Sequence, residues 1–478
     1  MPEVILPIAN GFYMADSLPI SAQECTNWYP NIVQAAALSQ ETLYGTPGVD
    51  LLGTSGDVKQ VNRGAHSLNG VPYFVNGDSL YRLESDKTTM TSLGTISGDG
   101  RVSMADNGTQ LFILVPGGEG FIFTIDPDTL TTITDVDFTA NGNPQYVVFI
   151  DGYFALTTDT KKFIVSALND GLSYNALDFG SAESDPDDVV APIVFRNQLF
   201  IAGTQTLEGF QNIGGADFPF QRTGLFIQKG VSAPFTIINA SDTFLFIGGG
   251  VNESPAIWMM QGNSVVKVST TAIDGLLQSF TADEIAASFA WSYAQKGAYF
   301  VGFSLPTTTL VFDTVSGKWH ERKSQITDAM GATETARFRA NSVVTGHGTT
   351  LVGDSIDGRV GQLDPNTYTE YGNPIVRRVA SQPFQNNMRA LFVPSMELTM
   401  EAGVGNTDAI DPVVRMDRSS DGGKTFGYDR SRRMGKKGDY TRRTIWRRVG
   451  RAARFEVFRF TLSDPVKPVI IQLTANVQ

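Results

Sequence analysis

Cysteine is almost missing from this chain: Cys25 is the only one among 478 residues, so no intrachain disulfide and no cysteine-based metal cluster can form within one subunit. That usage fits assembly in a reducing cytoplasm. Histidine is nearly as scarce. His66, His320 and His347 are the three present, without the spacing of an H-E-x-x-H metal site or an evident Ser-His-Asp constellation. Long apolar runs are missing too, since a spanning helix takes about 20 apolar residues and a clean run such as YVVFI at Tyr146 to Ile150 is far shorter. The opening MPEVILPIAN carries Glu3 and two prolines where a secretory leader has a basic start, so neither a leader nor a membrane span is expected. No G-x-x-x-x-G-K-[ST] phosphate loop occurs, and GGADF at Gly214 and GGGVN at Gly248 lack the strand-to-helix setting of a dinucleotide site and read as turns. Catalytic residues, cofactors and metals are therefore all expected to be none, and the chain is read as no enzyme.

What the chain does have is glycine and proline, 48 and 22 of them, among 41% apolar residues. This is the composition of many short strands joined by turns, an all-β fold. Its length suggests two to four units at about 100 to 200 residues each. Seven segments share a pattern of apolar strand, glycine-containing turn and second apolar strand, beginning at Val71, Gln110, Tyr146, Asn197, Thr243, Gly297 and Thr349. Asn-Gly and Asp-Gly turns between β-branched and aromatic runs mark hairpins, because glycine supplies the positive φ they need. The starts lie 36 to 54 residues apart, which suits four-stranded blades of an irregular β-propeller with six or seven blades. A row of ordinary sandwiches is the alternative.

Three further expectations concern organisation. TADEIAASFAWSY, from Thr281 to Tyr293, opens with a capping box of Thr281 and Glu284 and reads as a short inserted helix. Residues 1–50 show neither strand alternation nor a helical stripe and read as an extended arm, leaving 51–370 for the propeller and 371–478 for a basic β-sandwich-like domain. Charge divides at the same place: residues 1–370 hold 18 basic against 39 acidic residues, net −21, and residues 371–478 hold 19 against 10, net +9. Such asymmetry implies two surfaces with different partners.

Two motifs stand out in the basic part. SSDGGKTF matches an Asp-box, a hairpin in which Ser419, Asp421, Gly423, Thr425 and Phe426 make a structural turn. Sialidase propellers carry similar boxes, so a glycan-binding or glycan-hydrolysing propeller is the alternative function. Its two carboxylates would have to come from loops such as SAESDPDDVV at Ser181, which reads as a solvated loop. The second motif runs from Arg430 to Arg454 with Asp439 as its only acid. Arg430, Arg432, Arg433, Lys436, Lys437, Arg442, Arg443, Trp446, Arg447, Arg448, Arg451 and Arg454 are its candidate contact residues. Arginine with interleaved aromatics suits either DNA phosphates or a protein interface, with the protein reading favoured because Trp and Arg anchor interfaces. His66 and His347, beside glycines, and His320, within KWHER, read as loop or blade-edge residues.

With these features in view, the chain resembles the tail-hub, or packaged-DNA stabilisation, proteins of short-tailed bacteriophages. The matching landmarks are TPGVDLL at Thr46, GRVSMA at Gly100, IQKGV at Ile227, SFTADEIA at Ser279, VGQLD at Val360, SSDGGKTFG at Ser419 and IWRRVGRAARFEVFRF at Ile445. The resemblance implies a virion tail protein, a tail accessory factor assembled in the host cytoplasm as a homo-oligomer, a hexameric ring below the portal and adaptor. It further implies closure of the channel behind the packaged genome, contacts with a tail needle or plug and with tailspike or fibre proteins, and transient contact with exiting DNA. Loop lengths depart from the family, so no contact residue is carried over.

Overall fold

The computed structural model describes residues 3–477, apart from 56–59, 183–186, 216–217, 328–329, 388 and 453. Two parts of the expected features, Glu183 to Pro186 of the acidic loop and Ala216 and Asp217 of GGADF, lie outside the described residues.

Among the described residues, seven antiparallel blades, each built on four strands, form a ring, and Gly230–Val231 adds a short strand to the fifth. The first six span 62–95, 103–132, 144–181, 189–227, 238–267 and 289–327, and the seventh takes three strands from 340–364 and its fourth from Gly48–Thr54. The first strand of each blade packs beside that of the next, and the seventh returns to the first. Each of the seven repeated segments supplies the second and third strands of one blade. Those strands are nearly all apolar because both faces are covered, as in Gln110–Val115, where five of six residues are buried. Two consecutive positive-φ residues make the tight turn between first and second strands, as at Asp151–Gly152 (φ 50° and 88°) and Lys296–Gly297 (φ 48° and 80°).

Residues 3–54 are extended, but they are woven into both parts of the molecule. Gly48–Thr54 closes the ring by pairing with Arg359–Asp364. Cys25–Thr26 lies between Lys318–Thr327, the outermost strand of blade 6, and Arg377–Ala380. That single strand makes blade 6 and one sandwich sheet continuous, in the order Lys318–Thr327, Cys25–Thr26, Arg377–Ala380, Phe455–Leu462, Val413–Ser419 and Arg430–Arg433. The second sheet runs Thr444–Ala452, Leu391–Met400, Val469–Asn476, Glu41–Gly45 and Trp28–Ile32, with Glu3–Leu6 also on Val469–Asn476. Trp28, Leu43, Leu398, Trp446, Phe458 and Leu473 fill the space between the sheets and continue into the apolar side of blades 5 and 6.

The expected helix is corrected in extent. Its capping box is present, but the helix covers only Ala282–Ala286. Phe289–Gln295, FAWSYAQ, is instead the inner strand of blade 6, its Phe289, Trp291 and Tyr293 buried in alternation. A helix at Thr271–Gln278 precedes it, capped by Thr270.

Candidate functional site

Both sandwich sheets end, on the side remote from the propeller, in a basic strand: Arg430–Arg433 in one and Thr444–Ala452 in the other. An unpaired strand edge leaves carbonyls and amides open. Here Arg430 donates to the carbonyls of Arg448 and Arg447 at 3.2 and 2.6 Å, and Arg432 donates to that of Ile445 at 2.7 Å. These two arginines tie the edges together. Arg443 is paired with Glu397 and Arg433 with Asp411, 3.0 Å away. Lys436, Lys437, Arg442, Arg447, Arg448, Arg451 and Arg454 are exposed and have no ion pair with a described residue. They form the open part of the basic surface. Positive φ at Arg448 (53°) and Gly450 (127°) and a register shift at Val393/Ser395 bulge the edge, which prevents simple extension of the sheet by another strand.

Trp446, grouped with the contact residues on composition, is corrected: it is fully buried, packs on Phe460 at 5.5 Å and donates its indole N–H to the Arg430 carbonyl at 2.6 Å. Strand alternation explains this, because Thr444 and Trp446 face the core whereas Arg447 follows outward. The Asp-box lies in this domain and outside the ring. Asp421 accepts from the Lys424 and Thr425 amides and the Thr425 hydroxyl, the Ser419 hydroxyl donates to Asp421 and accepts from the Gly423 amide, and the Phe426 ring lies 3.6 Å below the Arg459 guanidinium. Those hydrogen bonds hold the Asp421 carboxyl well below its usual range. The box shapes a turn.

The first strands of blades 1 to 5 line a cavity of about 600 Å³ at the centre of the propeller. Tyr146 and Phe235 meet edge to face at 5.0 Å, and Arg101 stacks on Phe289 at 3.6 Å while donating to the Asn341 carbonyl at 2.7 Å. Burial, with Arg337 nearby, pushes Arg101 down to about 9. His66 and Asp106, on adjacent inner strands, pair at 2.7 Å. His347 occupies a positive-φ turn of blade 7 and reaches the Leu83 carbonyl of blade 1 at 2.8 Å, fastening the closing blades. His320 lies on the outermost strand of blade 6, an edge position as expected, but that edge is covered by Cys25–Thr26. It is completely buried between Tyr29 and Phe300, where burial and the neighbouring Arg322 push it down to about 3. In the part of the acidic loop that is described, Asp187 is buried and accepts from the Gln205 and Thr206 amides, a structural turn.

Sequence reasoning missed the junction between propeller and sandwich. Asn27, at φ 58°, donates to the carbonyls of Lys323 and Val376 at 2.9 Å each and accepts from the Lys323 amide at 3.0 Å. Glu321, also buried, accepts from Thr26 at 2.7 Å and Thr308 at 2.6 Å and pairs with Lys323 at 2.9 Å. Buried polar groups need such partners, so the junction is a fixed contact and not a hinge. No local pattern announces it, because its partners lie about 300 residues apart.

The propeller resembles, in shape, the WD40 propeller domain of Doa1 (16% identity, 66% of this chain and 97% of that one, TM-score 0.40) and the N-terminal domain of Nup159 (11% identity, 72% and 99%, TM-score 0.43). A curated relative, the tail hub protein gp10 of Salmonella phage P22, is 24% identical over 423 residues, 84% of this chain and 85% of the relative. The family description "Bacteriophage P22 Gp10, beta-propeller" matches residues 4–368 and "Bacteriophage P22 Gp10, beta-sandwich" matches residues 377–478, so with ring and sandwich both accounted for, the chain belongs to the bacteriophage P22 Gp10 family.

Proposed function

We propose that this chain is a structural subunit of a short-tailed phage tail, a hub or nozzle protein located in the virion tail. The observation that carries the reading is the likeness to a phage tail hub protein across 84% of the chain, through both of its parts. The physical design supports it. A closed ring of blades has few free strand edges and, joined to the sandwich through one continuous sheet, makes a stiff building block.

Several copies in a cyclic ring, six by the family resemblance, would surround a lumen below the portal and adaptor, close it behind the packaged genome and carry the needle or plug and the spike or fibre proteins. The duplex would run through the lumen between copies, since the cavity among the inner strands of each propeller, about 600 Å³, is too small to pass one. A binding and scaffolding role without catalysis accords with the Asp-box being a sandwich turn and with the histidines serving structural contacts. Electron cryomicroscopy of assembled particles tests the reading: a ring of this chain at the portal vertex is expected. Its absence from the tail, or particles lacking the chain that retain their DNA and infect normally, would overturn it.

A further inference from the structure

The seven-bladed ring has a charge axis. Blade 6 carries the sandwich, and in a ring of seven the blades opposite it are 2 and 3. Residues 96–182, which hold those two blades, carry 11 acidic and 3 basic residues, net −8, and one of the three is Arg101, stacked on Phe289. Asp99, Glu119, Asp126, Asp128, Asp151 and Asp159 there are exposed. At the other end, the free arginines of Thr444–Ala452 and the strand Arg430–Arg433 are the outermost parts of a domain that is net +9. Five strand steps separate Arg430–Arg433 from blade 6, about 24 Å at about 4.8 Å per step. One end of the subunit is thus acidic and the opposite end basic.

Each end also exposes apolar surface. Phe392, 44% exposed, sits in register beside Arg451. Val136 (83%) lies between Asp135 and Asp137 in the connection from blade 2 to blade 3, and Leu177 (78%) is on blade 3. Phosphates would need only the charges; a protein surface uses both.

We propose that the basic edge of the sandwich docks on blades 2 and 3 of a second copy of this chain. The contact joins two different patches at opposite ends, so it is head to tail and repeats from copy to copy, closing into a ring when the rotation between copies permits. Complementary charge sets the direction and register, and the apolar residues supply the dry centre. This inference rests on the ring proposed above and adds which surfaces make it.

A charge exchange in the full chain tests it. One variant carries Arg447→Glu, Arg448→Glu and Arg451→Glu, and the other carries Asp99→Lys, Glu119→Lys and Asp137→Lys, the first and last in the connections flanking blade 2 and Glu119 at the start of its third strand. Association is read by sedimentation velocity at low and high salt and by incorporation into tail-less particles. Each variant alone is expected to lose at least about tenfold in association constant, and an equimolar mixture is expected to recover it, because both contacts then pair opposite charges. Recovery also shows that both variants fold. Assembly by the arginine variant at the wild-type level overturns the proposal while leaving the ring intact. So does a loss that mixing fails to restore, or a variant that assembles normally but no longer binds duplex DNA in a salt-sensitive way. A wild-type chain that forms no ring even on tail-less particles overturns both this inference and the proposed function.

Discussion

The propeller and the sandwich are both antiparallel β-structures, yet they are put together in opposite ways. Six of the seven blades are consecutive meanders whose strands pair with their sequence neighbours, whereas the sandwich draws Glu3–Leu6, Cys25–Thr26, Trp28–Ile32 and Glu41–Gly45 from one end of the chain and the rest from the other. Local pairing gives independence, and distant pairing gives interdependence. Since Gly48–Thr54 also closes blade 7, residues 3–54 supply strands to both parts, which are expected to unfold together although each has its own sheet pattern.

Removing residues 1–54 breaks this arrangement most severely. The truncated chain is expected to lose its cooperative thermal transition, seen by circular dichroism, while removal of residues 1–45 spares the closing strand and leaves a propeller-like transition at lower temperature. Equal behaviour of the two truncations would mean that closure matters less than the comparison holds. Next in size is Trp446→Ala, expected to cost about 3–5 kcal/mol in urea unfolding, as large core truncations do. Its neighbour Arg447→Ala, on the outer face of the same strand, is expected within about 0.5 kcal/mol of the parent. At the junction, Asn27→Ala removes three side-chain hydrogen bonds and leaves buried carbonyls open, for an expected loss of about 2–3 kcal/mol. If sandwich and propeller are one unit, a single transition should shift as a whole in calorimetry; a split into two transitions would show that they unfold separately.

The smallest effect is on pH. His320 is held neutral, its folded value pushed from an ordinary 6.5 to about 3. The unfolded chain therefore binds a proton there that the folded chain does not. The resulting stability is fully present above about pH 6.5 and is lost progressively as pH falls from there towards about 3. His320→Phe should remove about 1–2 kcal/mol of the loss between pH 7 and 5, read from urea midpoints at the two values. An unchanged slope would mean that other groups dominate acid unfolding.

The hairpins were readable from the sequence because Asp151–Gly152 and turns like it have a local cause, positive φ between apolar strands. So was the boundary of charge near residue 370. Strand Gly48–Thr54 was not readable as a blade component, since nothing in GVDLLGT identifies a partner about 300 residues later. The overlong helix at Thr281 shows how a genuine N-terminal signal says little about where a helix stops; the alternation of Phe289, Trp291 and Tyr293 was the better guide. Within the basic run, composition grouped Trp446 with the arginines, and only strand alternation separates the core residue from its exposed neighbours. Similarly, Arg430 and Arg432 turned out to bind backbone carbonyls, leaving about half of the twelve named residues as open surface.

Ring closure by a strand from the beginning of the chain also sets a timetable for synthesis. Gly48–Thr54 leaves the ribosome about 310 residues before its partner Arg359–Asp364, a wait of about 15–60 seconds at about 5–20 residues per second. Throughout that interval the nascent subunit carries an unclaimed strand and an open blade 7. A neighbouring chain on the same messenger presents the same strand, so premature exchange between chains is a hazard to be met by the host's chaperones. Only the finished chain can both shut its ring and complete the basic edge, which ties eligibility for assembly to completed translation.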